Sequence, residues 1–176
     1  MIISHHGAEY FKITQGDLTL ALNPQSKMSA DITLFSGVDR SETAEKSGFI
    51  ITGPGEYEIK DIFVKGFSTR DNEIFKTTYL ISFEGIKLCF LGAVQAVEDI
   101  EDVDILFIPV GTDPSAAYKL AVSLEPAVII PMKYDEKTLA QFVKEGGEKV
   151  VPIDKFVVKK KDLEGKEGEI AVLKEE

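Results

Sequence analysis

Two runs without a polar side chain, Ile105-Leu-Phe-Ile-Pro109 and Val128-Ile-Ile-Pro131, set the limits on what this chain can fold into. A strand with one wet face alternates polar and apolar residues, whereas a strand that is apolar throughout is covered on both faces. Between the runs, Asp113-Pro114 reads as a helix N-cap followed by Pro at the first helical position. Ala117, Leu120, Ala121 and Leu124 then recur at helical spacing until Pro126 stops them. A second helix starts near Asp135, repeats the stripe at Leu139, Phe142 and Val143, and ends at Gly146-Gly147. Strand, helix, strand, helix implies helices packed outside a sheet. Each apolar run ends in Pro before a polar turn, and such strand ends are where sheets of this kind place ligands.

The remainder reads as strands: Tyr10 to Ile13, Leu18 to Leu22, Ile32 to Phe35, Gly48 to Ile51, Ile62 to Phe67, Thr77 to Phe83, Lys87 to Leu91, Phe156 to Lys160 and Glu169 to Leu173. Most are short, β-branched or aromatic, and bounded by Gly, Asp or Asn. Glu84-Gly85 has hairpin spacing, and Leu163-Glu-Gly-Lys-Glu-Gly168 is read as joining the last two strands in the same way. There is no internal repeat, low-complexity tract or linker, so a single domain over residues 1–176 is expected.

A net charge of −10 repels nucleic-acid phosphates and anionic membranes, which argues against both as partners. One cysteine, Cys89, rules out an intramolecular disulfide framework and suits a reducing cytoplasm. No apolar run approaches the roughly 20 residues that span a bilayer, and the start, Met1-Ile-Ile-Ser-His-His6, is unlike a signal peptide.

Several blocks carry a resemblance when taken in order: Gly53-Pro-Gly-Glu-Tyr-Glu-Ile59, Val64-Lys-Gly-Phe67, Leu88-Cys-Phe-Leu-Gly92, Asp104-Ile-Leu-Phe-Ile-Pro-Val-Gly111 and Val128-Ile-Ile-Pro-Met-Lys-Tyr134. The ordered set resembles the metallo-β-lactamase-fold hydrolases, and within them the small bacterial Zn-dependent hydrolase branch similar to ascorbate-phosphate lactonases. The resemblance implies an α/β (α+β) fold: an αβ/βα sandwich of two mixed sheets with outer helices, here shortened, and a site at one edge.

Carried over by resemblance, a strand like Ala30-Asp-Ile-Thr-Leu-Phe-Ser36 runs into a His-x-His-x-Asp-His loop, whose four ligand positions fall on Gly37, Asp39, Ser41 and Glu42. The family's bridging Asp falls on Ala93, its final His on Lys133, and its middle His has no counterpart, because both histidines are at positions 5 and 6. Zinc hydrolysis needs His-rich coordination that leaves one position open for a water of lowered pKa. The expectation is therefore a degenerate member: zinc binding lost, no cofactor, no catalytic residue, and an ammonium at Lys133 replacing the metal charge and pairing with Asp39 or Glu42. Ser36, Asp113 and Tyr134 are placed near the old cleft as possible ligand contacts.

Other constellations read as structural. Adjacent His5 and His6 on a strand point to opposite faces. Glu56 and Glu58 share a strand face with nothing else suited to acid–base work. The acidic run Glu98 to Asp104 lacks the spacing of a calcium loop, and Lys159-Lys-Lys161 is too small a basic patch for nucleic acid. Cys89, among apolar neighbours, is expected to be inert. The function expected is a binding or structural module for a protein or small molecule, with a homo-oligomer as one possible form. The alternative is a metal-dependent hydrolase with a remodelled carboxylate site at Asp39, Glu42 and Asp113.

Overall fold

The structure, a computed structural model, describes residues 1–37, 48–147 and 149–176. The first half of the chain supplies β1 (Ile2–His5), β2 (Phe11–Gln15), β3 (Leu18–Leu22), β4 (Ile32–Leu34) and β5 (Phe49–Ile51), then β6 (Gly55–Ile59), β7 (Ile62–Asp71), β8 (Ile74–Phe83) and β9 (Ile86–Phe90). The second half adds β10 (Ile105–Pro109), α1 (Pro114–Ser123), β11 (Val128–Met132), α2 (Glu136–Glu145), β12 (Phe156–Val157) and β13 (Glu169–Ile170). They form a six-stranded sheet ordered β12-β1-β2-β3-β4-β5 and a seven-stranded sheet ordered β13-β11-β10-β9-β8-β7-β6. Both are mixed. In the second, β9, β10, β11 and β13 run parallel while β6 to β9 are antiparallel.

The two apolar runs become β10 and β11, and their residues sort by period two. Ile105, Phe107, Val128 and Ile130 face the six-stranded sheet, while Leu106, Ile108 and Ile129 face the helices with Ala117, Ala121 and Phe142. Both α-helices therefore pack outside the seven-stranded sheet. Asp113 caps α1 by accepting from Ala116 N at 2.9 Å, and Asp135 caps α2 by accepting from Thr138 N at 2.7 Å. The layer between the sheets is organised by aromatic rings: Phe11 of β2 meets Phe107 of β10 edge-on at 5.0 Å and Phe90 of β9 at 6.5 Å.

The turns follow their chemistry unevenly. Glu84 and Gly85 both take positive φ, 52° and 74°, as a two-residue hairpin requires. Lys60 and Asp61 do the same between β6 and β7 without Gly or Asn, which is why β6 does not announce itself as a hairpin arm. Lys60 pairs with Asp31, whose carboxyl it holds below the usual range, and Asp31 also accepts from Thr19 N at 2.9 Å. One turn thus ties the two sheets together.

Two expectations need correction. The last two strands do not form a hairpin. β12 pairs antiparallel with β1 in one sheet and β13 pairs parallel with β11 in the other, with a 3-10 turn at Lys160–Leu163 between them. Val158, Leu163, Ala171 and Leu173 are buried, but the strand partners lie elsewhere in the chain. In addition, β7 and β8 run longer than their apolar cores, to Asp71 and from Ile74, because paired backbone continues through the polar Ser68-Thr-Arg-Asp71 stretch. This extension carries the hairpin tip to the site.

Phe107→Ala removes a fully buried ring from between the sheets. It is expected to cost about 3–5 kcal/mol of unfolding free energy, measured by chemical denaturation.

Candidate functional site

The carboxyl ends of β4, β9, β10 and β11 open at one edge of the sandwich, where the β7–β8 hairpin and the turn after β1 meet them. The hairpin is sewn in from both sides. Thr77 N donates to Ser36 O at 2.7 Å, and Gly92 N donates to Thr78 Oγ1 at 3.0 Å. Gly92 must be glycine here: a Cβ would lie 2.5 Å from Thr77 O. On the other side, Lys133, in a left-handed conformation (φ 52°), donates its backbone N–H to Ala8 O at 3.1 Å, and its carbonyl accepts from Gly111 N at 3.3 Å.

These backbone contacts bring charged side chains together. Lys133 Nζ lies 3.4 Å from Asp71 Oδ2 and 3.8 Å from Glu9 Oε1, half-exposed itself while Glu9 is mostly covered. Lys76 lies alongside, its ammonium over Gly37, where a Cβ would meet Nζ at 2.7 Å. Ser36 is buried and clasped by Asn23, which donates through Nδ2 to Ser36 Oγ and accepts from Ser36 N, both at 2.8 Å.

Against the residues singled out by sequence, Gly37, Ser36, Ala93 and Lys133 sit at this edge. Asp39, Ser41 and Glu42 lie outside the described residues. The described partners of Lys133 are Asp71 and Glu9, and Ser36 is held by Asn23 beside Lys76. Ala93 is buried and offers a methyl group. Asp113 is spent on the α1 cap. Tyr134 donates weakly to Leu173 O at 3.5 Å, and burial, reinforced by Glu175, raises its phenol pKa. Glu9, Asp71, Lys76 and Asn23 carried no sequence signal, because each meets its partner only through a segment distant in the chain.

The remaining groups behave as structure. His5 stacks on Phe11 at 4.6 Å, and its Nε2 lies 3.3 Å from Ala8 O. His6 stacks on Tyr10 at 4.8 Å, with Nε2 3.0 Å from Ser4 Oγ. Desolvation lowers the His6 pKa, opposed by Glu176 at 3.8 Å. Burial pushes the Cys89 thiol up to about 12, so it is not a nucleophile at neutral pH. Glu56 is exposed and pairs with Lys65 at 3.7 Å. In the acidic run, Asp102 pairs with Lys87 and Asp104 with Lys160.

The chain belongs to the beta-lactamase superfamily domain family, whose sequence profile matches residues 2–133. Its fold is that of the metallo-β-lactamases. A candidate Zn-dependent hydrolase of the metallo-beta-lactamase superfamily from Thermotoga maritima superposes with a TM-score of 0.84 at 25% identity, over 99% of each chain. Igni18, a metallo hydrolase from Ignicoccus hospitalis, superposes at 0.62 with 14% identity over 90% of this chain and 99% of its own. An isothiocyanate hydrolase from Delia radicum gut bacteria superposes at 0.64 with 11% identity over 98% and 96%. No curated protein sequence matches the chain significantly. Among the described residues no three His, Cys, Asp or Glu side chains converge as a ligand set, and an ammonium lies between the two carboxylates of the site.

Two variants test these contacts. Gly92→Ala is expected to lose about 1–3 kcal/mol of stability through its clash with Thr77 O, measured by denaturant unfolding. Because His6 is harder to protonate in the folded state, its contribution is intact above the unfolded value of 6.5 and falls away as pH drops through the lowered folded pKa. The melting temperature of the wild type should therefore fall relative to His6→Gln below pH 6.5; parallel curves would refute this account.

Proposed function

We propose that this chain is a metallo-β-lactamase-fold protein in which Lys133 stands in the place of a catalytic metal, and that it serves as a binding or structural module in the cytoplasm. The observation that carries this reading is the Lys133 ammonium on Asp71 at 3.4 Å and Glu9 at 3.8 Å. A cation at that point repels a second one, and the two carboxylates that would attract a metal already face a positive charge. Ala93 supports the same reading, since a methyl group cannot bridge metal ions. The partner is a protein or a small molecule, and a homo-oligomer is compatible with both. A net charge of −10 disfavours nucleic acid and anionic membranes, and no described helix is long and apolar enough to cross a bilayer.

The second reading, a metal-dependent hydrolase with a remodelled carboxylate site, draws its support from the Thermotoga maritima neighbour, whose description is a candidate Zn-dependent hydrolase. It would rest on Asp39, Glu42 and Asp113, and the last of these is already spent on the helix cap.

Elemental mass spectrometry separates the two. After loading with zinc, manganese and magnesium and then desalting, the first reading expects less than about 0.1 metal per chain, far below a filled site. Near-stoichiometric metal, lost in Asp39→Ala or Glu42→Ala, would establish the second. Lys133→Met leaves two carboxylates without their cation. Because the ion pairs are partly exposed, the loss is expected to be about 1 kcal/mol, read as a drop of roughly 2–4 °C in melting temperature.

A further inference from the structure

Next to the Lys133 ion pairs is a cavity of about 110 Å³ whose walls include Glu9, Asn23, Gln25, Ser36 and Lys76. Its volume equals about four water molecules at roughly 30 Å³ each. Its charged groups are incompletely used. Glu9 Oε1 is buried and has no hydrogen-bond partner among the described residues; its contact with Lys133 Nζ at 3.8 Å is electrostatic and too long for a hydrogen bond. Lys76 is half-buried and ion-pairs with no described carboxylate. Ser36 Oγ accepts from Asn23 and retains its own hydrogen to donate.

Charge counting narrows what this cavity can take. Among its described walls, Glu9 contributes one negative charge and Lys76 one positive charge. A lone anion or a lone cation would leave the site unbalanced in a partly dehydrated place. A molecule carrying both charges fills the two open valences and keeps the balance.

We propose that this cavity binds a small zwitterion of the α-amino acid class, of glycine or alanine size. The ligand ammonium donates to Glu9 Oε1, and its carboxylate accepts from Lys76 Nζ and the Ser36 hydroxyl. Gly37 is part of the specificity, because any Cβ there would displace the Lys76 ammonium. The proposal rests on the metal-free reading of the cleft, in which Glu9 is not a metal ligand.

Isothermal titration of the full chain with glycine, L-alanine, acetate and methylamine tests it, with metal content measured on the same sample. Saturable binding of glycine and L-alanine, but not of acetate or methylamine, is expected. Glu9→Gln and Lys76→Met should each weaken glycine binding about tenfold or more, the scale of a charge-assisted hydrogen bond, and Lys76→Met should keep the wild-type melting temperature. Acetate or methylamine binding as well as glycine, or unchanged affinity in both variants, would overturn the proposal. Absence of glycine binding to metal-free protein would sink the cavity assignment alone. Stoichiometric metal without glycine binding would sink the metal-free reading with it.

Discussion

The ring of Phe11 leaves the six-stranded sheet and lands on Phe107 at 5.0 Å and Phe90 at 6.5 Å, both from the seven-stranded sheet. All three are fully buried, and burial of this kind contributes through the large apolar area of each ring as well as edge-to-face geometry. The contact sets the spacing of the sheets and hence where their strand ends lie. On its other side Phe11 stacks against His5 at 4.6 Å, the residue that leads into the Gly7-Ala8-Glu9 turn. The inter-sheet core is therefore one contact away from the turn that delivers Glu9. A shift in that core would move the carboxylate relative to Lys133, which is anchored separately through Ala8 O.

The site is built from segments that share nothing in sequence. Asp71 arrives on the tip of a hairpin, Lys133 at the end of a buried parallel strand, Glu9 in a turn, and Lys76 over a glycine. Backbone hydrogen bonds do the positioning and the side chains supply the charge. This is the division of labour that lets one scaffold take different chemistries, since a ligand set can be exchanged at strand ends without touching the layers beneath. In the proposed reading, a lysine and two carboxylates occupy the place where the family's metal would organise the same loops. An ammonium supplies one positive charge and directional donors, but it cannot lower the pKa of a bound water as zinc does.

The scaffold was legible because its signals are local. Short, β-branched apolar runs bounded by Pro and polar turns read as strands covered on both faces, and Asp113-Pro114 and Asp135 cap helices through contacts within one turn. The ordered blocks from Gly53 to Tyr134 placed the chain in its family. Lys133, Ala93, Gly37 and Ser36, singled out by resemblance, lie together at one edge of the sandwich, but the groups that answer Lys133 and line the neighbouring cavity carried no signal. Arg70 and Asp71 lie in a polar stretch that reads as loop, and only pairing with β8 makes it strand.

Periodicity and capping are properties of neighbouring residues, so the amino-acid sequence by itself determined both helices, most of the strands and their apolar faces, and that both histidines lie at positions 5 and 6. Pairing across long separations is decided by how two sheets twist and pack, so only the tertiary structure settled that β12 and β13 part to different sheets. It also brought Asp71, 62 residues from Lys133 along the chain, to 3.4 Å from that ammonium. The same packing left Glu9 Oε1 buried without a hydrogen bond among the described residues.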